Sequence, residues 1–198
     1  LKFGEAKRQE AAPEGEFVTA RLNAKLQPID RGDYYEDPLH VTLESHQLGE
    51  VTGGGTQLSA EPCGIEFCDL EIRVHEAGEE TLAAIINRLN ELGAPKGSRL
   101  IVDATNKQIP FGVTEGIAVY LDGAGLADEV YRECDINYVI DEFNRLLNEA
   151  GAFRGYWEGE QETALFCYGP SFHGMKTALA PFLAEYPLCE GARIEQIA

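Results

Sequence analysis

The sequence predicts an α+β fold of two tandem βαββαβ units, each an antiparallel sheet with its helices on one face. Three observations lead there. The first is an internal echo: KGSRLI at 96–101 resembles EGARIE at 190–195. The preceding ETLAAIINRLNEL (80–92) resembles KTALAPFLAEYPL (176–188), setting Thr81 opposite Thr177. Self-similarity of this kind governs the fold before any local feature does. The second is period-two alternation at 65–74, where Cys68, Leu70, Ile72 and Val74 share one face and Asp69, Glu71 and Arg73 the other. That pattern marks a sheet with one covered face. The third is a set of helical apolar stripes, found in three of the four expected helices.

In the first half, FVTARLNAKL (17–26) alternates loosely and predicts a strand. Asp37-Pro38 has the form of a helix start, with Asp as N-cap and Pro where its missing N–H costs nothing. This helix is expected to run to about Gln47 and to end at Gly49. A glycine-broken strand at 50–58, a turn around SAEPCG and the strand Ile65–Val74 follow. Residues 79–92 form the clearest helix, with Leu82, Ile85, Ile86, Leu89 and Leu92 on one stripe and Gly93 placed for a left-handed cap. SRLIVD closes the half as a strand.

The second half repeats the order. GIAVYLDG (116–123) is a strand, and after an acidic loop Asp135 caps a helix striped by Ile136, Val139, Ile140, Phe143, Leu146 and Leu147. That helix is expected to end at Gly151. FRGYWEGE and QETALFCYG predict a hairpin. Ser171 precedes a last helix with Phe172, Met175, Leu179, Phe182 and Leu183 on one side. Pro181 is expected to kink or shorten it, since proline removes an internal hydrogen bond. ARIEQIA is the final strand. Asp37 and Asp135 then stand as matched caps.

This order is the split-βαβ motif, and the chain resembles proteins built of two fused ferredoxin-like repeats. Lack of periodicity at 1–16 predicts a flexible N-terminal arm, and the resemblance, over 17–198, implies a first repeat at 17–104, a linker at 105–115 and a second repeat at 116–198. It carries no functional implication, because this fold hosts many unrelated activities.

Composition narrows the partners. The chain has 198 residues, with 16 basic against 34 acidic side chains and a formal charge of −18, shared evenly between the halves. Such a surface repels nucleic-acid phosphates and anionic lipid, and attracts cations or a basic protein. No apolar run reaches the roughly 20 residues that span a bilayer. The opening LKFGEAKRQEAAPEGE is polar and lacks a signal-peptide pattern. The five cysteines (Cys63, Cys68, Cys134, Cys167, Cys189) form no C-x-x-C pair. They read as reduced thiols in a cytoplasm.

Several segments are candidate sites. GGGT at 53–56 is glycine-rich, but a phosphate loop feeds a helix N-terminus and carries a following Lys-Ser or Lys-Thr. Here Thr56-Gln57-Leu58 leads to a turn and a strand, so Gly54, Gly55 and Thr56 read as a bulge or close approach, or as a surface a ligand could reach. Two acidic, aromatic loops occupy equivalent places, PIDRGDYYEDP (28–38) and GAGLADEVYRECD (123–135). They are either pseudo-symmetric binding loops, with Arg31 and Arg132 gripping an anion beside Tyr34, Tyr35 and Tyr131, or solvated connections with docked tyrosines. Tyr120, Tyr156, Trp157, Phe166 and Tyr168 are expected to be buried between the repeats rather than to stack bases. The four histidines, His40, His46, His75 and His173, show no metal-ligand spacing. GPSFHG (169–174) reads as a helix cap rather than a nucleophile elbow.

The functional expectation is a non-catalytic cytoplasmic binding or regulatory protein without cofactor or metal. It would engage a basic protein partner or small molecule through its acidic surface or the cleft between the repeats. The alternative is an enzyme or small-molecule sensor with its site between the repeats. Nucleic acid and membrane are not expected partners.

Overall fold

A computed structural model describes residues 15–60 and 63–198. The expected N-terminal arm, up to residue 14, and the centre of the EPCG turn lie outside them. Alternation and apolar stripes organise the described chain into nine strands and six α-helices. The first repeat contains β1 (Glu16–Leu22), β2 (Gly49–Ala60), β3 (Cys63–Val74) and β4 (Ser98–Val102), with α1 (Pro28–Arg31), α2 (Asp37–Ser45) and α3 (Glu79–Glu91). The segment expected as a linker, 105–115, instead supplies β5 (Lys107–Phe111), which pairs antiparallel with β4 and extends the first sheet. A hairpin there satisfies the outer edge of β4, which a free linker would leave bare.

The second repeat holds β6 (Glu115–Asp122), α4 (Asp128–Glu133), α5 (Ile136–Leu147), β7 (Ala152–Glu158), β8 (Glu162–Gly169), α6 (Phe172–Glu185) and β9 (Arg193–Gln196). Strand order is β2-β3-β1-β4-β5 in one sheet and β7-β8-β6-β9 in the other. Apart from β5 the two orders coincide, and every pairing is antiparallel. The chain is therefore an α+β protein of two tandem ferredoxin-like repeats. The echoing segments become β4 and β9, each paired with the first strand of its own repeat.

The helix expected at Asp37 begins earlier. Pro28 starts it, a π-helical turn follows at Gly32–Glu36, and α2 continues from Asp37 to Ser45. Asp37 is thus inside helical backbone, its N–H donating to Gly32 O, and is not a cap. The wider turn sits just before Pro38, whose ring would otherwise crowd the carbonyl four residues back. Asp135 does cap: its Oδ1 accepts from Asn137 N at 2.8 Å. Ser171 Oγ accepts from Gly174 N at 3.2 Å in the same role. Gly93 takes the left-handed conformation at the end of α3, with φ +83°. Pro181 lies within α6, which continues through it to Glu185.

Two cores form. Ile117, Val119, Leu121, Leu165 and Cys167 face α5 and α6, meeting Val139, Phe143, Met175 and Leu179. The larger core joins the inner face of the first sheet, α2 and α3 to the reverse side of β6 and β8, through Ala118, Ala164, Phe166 and Tyr168. Ala24 and Leu26, just after β1, lie across that reverse side, where Lys25 N donates to Tyr168 Oη at 2.7 Å. Burying Phe166 and Tyr168 there contributes about 2 kcal/mol each. The second sheet is thus covered on both faces, while the outer face of the first carries the ion pairs Arg21–Asp69 and Arg73–Glu50.

Candidate functional site

The first acidic loop converges on the triple glycine. Arg31 is 7% exposed. Its Nε donates to Glu36 Oε1, and its Nη1 donates to Thr56 Oγ1 at 2.8 Å. Thr56 Oγ1 in turn donates to Leu26 O at 3.1 Å. Gly54 allows this approach, since a Cβ there would lie 2.8 Å from Glu36 Oε1 and 3.0 Å from Arg31 Nε. Gly55 meets nothing within 4 Å at the same test. Arg31, Gly54 and Thr56 are therefore brought together as the sequence suggests, with the cation already satisfied from within. Tyr35 is buried, its hydroxyl donating to Gly93 O at 3.2 Å. Burial drives its ionisation far upward. Tyr34 lies under the Arg154 guanidinium, 4.4 Å from the ring centre.

The second loop behaves differently. Arg132 is 70% exposed; it pairs with Glu129 at 3.5 Å, and its Nε donates to Asp128 O at 3.3 Å. Tyr131 staples the loop: its hydroxyl accepts from Leu126 N at 3.0 Å and donates to Asp122 O at 3.3 Å. Arg31 is thus buried and satisfied from within, whereas Arg132 is exposed.

Between the second sheet and the α4–α5 corner lies a cleft of about 480 Å³. Its apolar lining comes from Leu121 and Leu165 on the sheet, Ile136 and Ile140 on α5, and Leu188. Tyr131, Cys134, Asp135 and Asn137 line it from the loop, and Tyr156, Glu158 and Thr163 from β7 and β8. Asp122 also lines it; the N–H groups of Ala124 and Gly125 hold its carboxyl below the usual range. Among the described residues lining this cleft, none is basic. Its size suits a small ligand.

A second cleft, of about 270 Å³, lies where the repeats meet, lined by Lys25 and Ile65 from one and Tyr120, Trp157, Phe166 and Arg193 from the other. Its charges are largely engaged: Lys25 Nζ donates to Ile65 O at 2.6 Å, and Arg193 pairs with Glu162 and Glu195. Burial lowers the Lys25 pKa. The indole Nε1 of Trp157 is buried without an acceptor among the described residues. Of the aromatic group read as inter-repeat packing, Phe166 and Tyr168 are buried there, whereas Tyr156 turns to the larger cleft.

Tyr156, Glu158, Thr163 and Cys134 carried no motif in the sequence. For Tyr156, Glu158 and Thr163 the available signal was the pairing of β7 with β8, which fixes their faces once the hairpin is registered; Cys134 lies instead in the 123–135 loop.

No protein-family model matches the chain, and no curated protein matches it in sequence. Among solved structures, it is similar to the first two RRM domains of yeast poly(U) binding protein, at 12% identity, TM-score 0.27, over 91% of this chain and 99% of that one. It is also similar to a proposed monooxygenase from Lactobacillus acidophilus, at 10% identity, TM-score 0.31, over 93% of both chains. A third is an anthrone oxidase-like protein, at 12% identity, TM-score 0.26, over 93% and 90%. The fold rests on the chain's own strand orders. No described helix is long and apolar enough to cross a membrane.

Proposed function

We propose that this is a non-catalytic binding protein whose ligand site is the helix–sheet cleft of the second repeat. The observation that carries this reading is the cleft itself: about 480 Å³ with an apolar lining from sheet and helix and a polar, uniformly non-basic rim. Apolar walls with a few convergent polar groups are the usual make-up of a ligand site. Binding is favoured over catalysis because several of the rim's polar groups already hold the fold. Asp135 caps α5, Asp122 closes the 122–125 turn, and Tyr131 fastens the loop. The free thiols of Cys68, Cys134, Cys167 and Cys189 accord with a cytoplasmic setting.

A fragment screen by ligand-observed NMR tests the reading, run on the parent chain and on Thr163→Phe, which fills the cleft. Hits that saturate with the parent and vanish in the variant, at unchanged melting temperature, are expected. Identical hits in both proteins, or none at millimolar fragment, would remove the cleft as the site. A second reading places a small ligand in the junction cleft, supported by Trp157 Nε1, which has no acceptor among the described residues. Trp157 is the sole tryptophan, so a ligand there must change the fluorescence directly.

A further inference from the structure

The two sheets end in four edge strands, and three of them are blunted. β5 is five residues long and carries Lys107 and Pro110; β9 is four long and carries Arg193 and Glu195. β7 is met by Gln27, whose Nε2 donates to Tyr156 O at 2.9 Å. Short length, charge, proline and cover are the ordinary protections of a strand whose outward N–H and C=O groups lack a neighbour. β2 is the exception. It runs for twelve residues, and 51–59 hold no charged side chain and no proline.

The ladder fixes which groups of β2 face out. Phe17 O accepts from Asp103 N at the end of β4, so odd-numbered residues of β1 turn toward β4 and even-numbered ones toward β3. Ala20 therefore exchanges hydrogen bonds with Leu70, and Cys68, Leu70 and Ile72 turn their backbone away from β2. Their opposite numbers on β2, which are Thr56, Gly54 and Val51, point outward. Leu58 follows Thr56 by two residues and does the same; Ile65 opposite it gives its carbonyl to Lys25. His40 plugs the first of these positions, its Nδ1 3.3 Å from both Val51 N and Val51 O. Gln57 Nε2 reaches Leu58 O at 2.8 Å. Among the described residues, the N–H groups of Gly54, Thr56 and Leu58 and the C=O groups of Gly54 and Thr56 meet no partner. Gly54, Gly55 and Leu58 are exposed.

A carboxylate stands over the start of this open stretch. Gly53 has no side chain, and Glu71 Oε2 lies 3.7 Å from where its Cβ would be. Glu71 is exposed and has no cation within salt-bridge reach among the described residues, whereas Asp69 on the same face is taken by Arg21. We propose that the β2 edge from Gly54 to Leu58 receives an extended segment of a basic protein as an added strand, with a lysine or arginine beside Glu71. Backbone pairing supplies the affinity of such strand addition. Glu71 and the overall charge of −18 select the sign of the partner. A second copy of this chain would bring the same −18 to the edge, which disfavours it as the occupant. This surface is separate from the second-repeat cleft and does not rest on it.

The test uses the full chain and a capped heptapeptide alternating lysine and threonine. Two controls accompany it: the same peptide N-methylated at alternate residues, and one with glutamate for lysine. Amide exchange by NMR locates the site. In the free chain the amides of Gly54, Thr56 and Leu58 should exchange at least tenfold faster than those of Gly53, Gly55 and Gln57, which face β3. The lysine peptide should bind saturably by millimolar concentration and slow the three outward amides at least fivefold, and neither control should do so. Glu71→Gln and Leu58→Lys change exposed side chains. At unchanged melting temperature, the first should weaken the peptide at least threefold and the second, which sets a like charge on the edge, at least tenfold. Equal exchange of all six amides, no binding at millimolar peptide, binding of the N-methylated control, or protection confined to residues outside β2 overturns the strand addition. A glutamate peptide that binds as well, or an unchanged affinity in Glu71→Gln, overturns the basic partner. Protection of the three amides that rises with protein concentration, without peptide, makes a second copy the occupant and overturns the assignment to another protein.

Discussion

Gly54→Ala tests the packing beneath Arg31 most directly. An added Cβ would lie 2.5 Å from Asp69 O, backbone of the neighbouring strand, as well as 2.8 Å from Glu36 Oε1 and 3.0 Å from Arg31 Nε. The two side-chain atoms can retreat only by loosening their pair, and the carbonyl is fixed in the β2–β3 ladder. Overpacking of this kind costs about 1–3 kcal/mol, and contact with backbone places the expected loss near the middle, about 2 kcal/mol. For a chain of this size that lowers the melting temperature by about 4–8 °C. Its neighbour provides the internal control. Gly55→Ala meets nothing within 4 Å and requires no unusual backbone angle. It should be neutral or stabilising by up to about 1 kcal/mol, because alanine restricts the unfolded chain. Urea titrations followed by far-ultraviolet circular dichroism compare the two variants with the parent. Equal losses for both, or a Gly54→Ala variant as stable as the parent, would refute the claim that this glycine makes room for the Arg31–Glu36 pair.

Two further outcomes follow from the same coordinates. Arg31→Met should cost about 3 kcal/mol by leaving the half-buried Glu36 without its cation, and adding Glu36→Gln should recover much of that loss. A double-mutant cycle on urea midpoints measures the coupling, and additive effects would show the pair to be inert. Stability should also fall in acid. Hydrogen bonds from Lys96 and from Phe172 N hold the Glu115 carboxyl below its ordinary range, and those from Ala124 N and Gly125 N do so for Asp122. A carboxyl depressed in the folded state contributes stability that is present above its unfolded value and lost as pH falls through its folded one. Urea midpoints should therefore drop below about pH 4, and Glu115→Gln should flatten that drop.

Most of the fold was legible because its signals are local and repeated. The stripe of Leu82, Ile85 and Leu89 is buried in α3, and Cys68 to Val74 alternate in β3 as their chemistry dictates. Asp135, Ser171 and Gly93 terminate helices where small polar or permissive residues are wanted. Asp37-Pro38 misled because Asp-Pro has the same form at a helix start and after a π-helical turn; only the turn's wider hydrogen bonding tells them apart. β5 was hidden because KQIPF carries a proline and a polar start, features an edge strand tolerates. The cleft was legible only on its loop side, where 123–135 and Tyr131 were singled out; its sheet wall was not. It exists because β7 and β8 place Tyr156, Glu158 and Thr163 opposite a broken helix, and the spacing between equivalent residues drifts along the chain.

The contact of Ala24 and Leu26 with the reverse of β6 and β8 makes the two copies unequal. The front copy has become the rear wall of the back one. Residues 116–198 expressed alone would present Ala118, Ala164, Phe166 and Tyr168 to water, whereas the front copy keeps its own helices over its inner sheet. Exchanging the order of the copies would therefore not yield the same molecule. Duplication here has left one unit as support for the other.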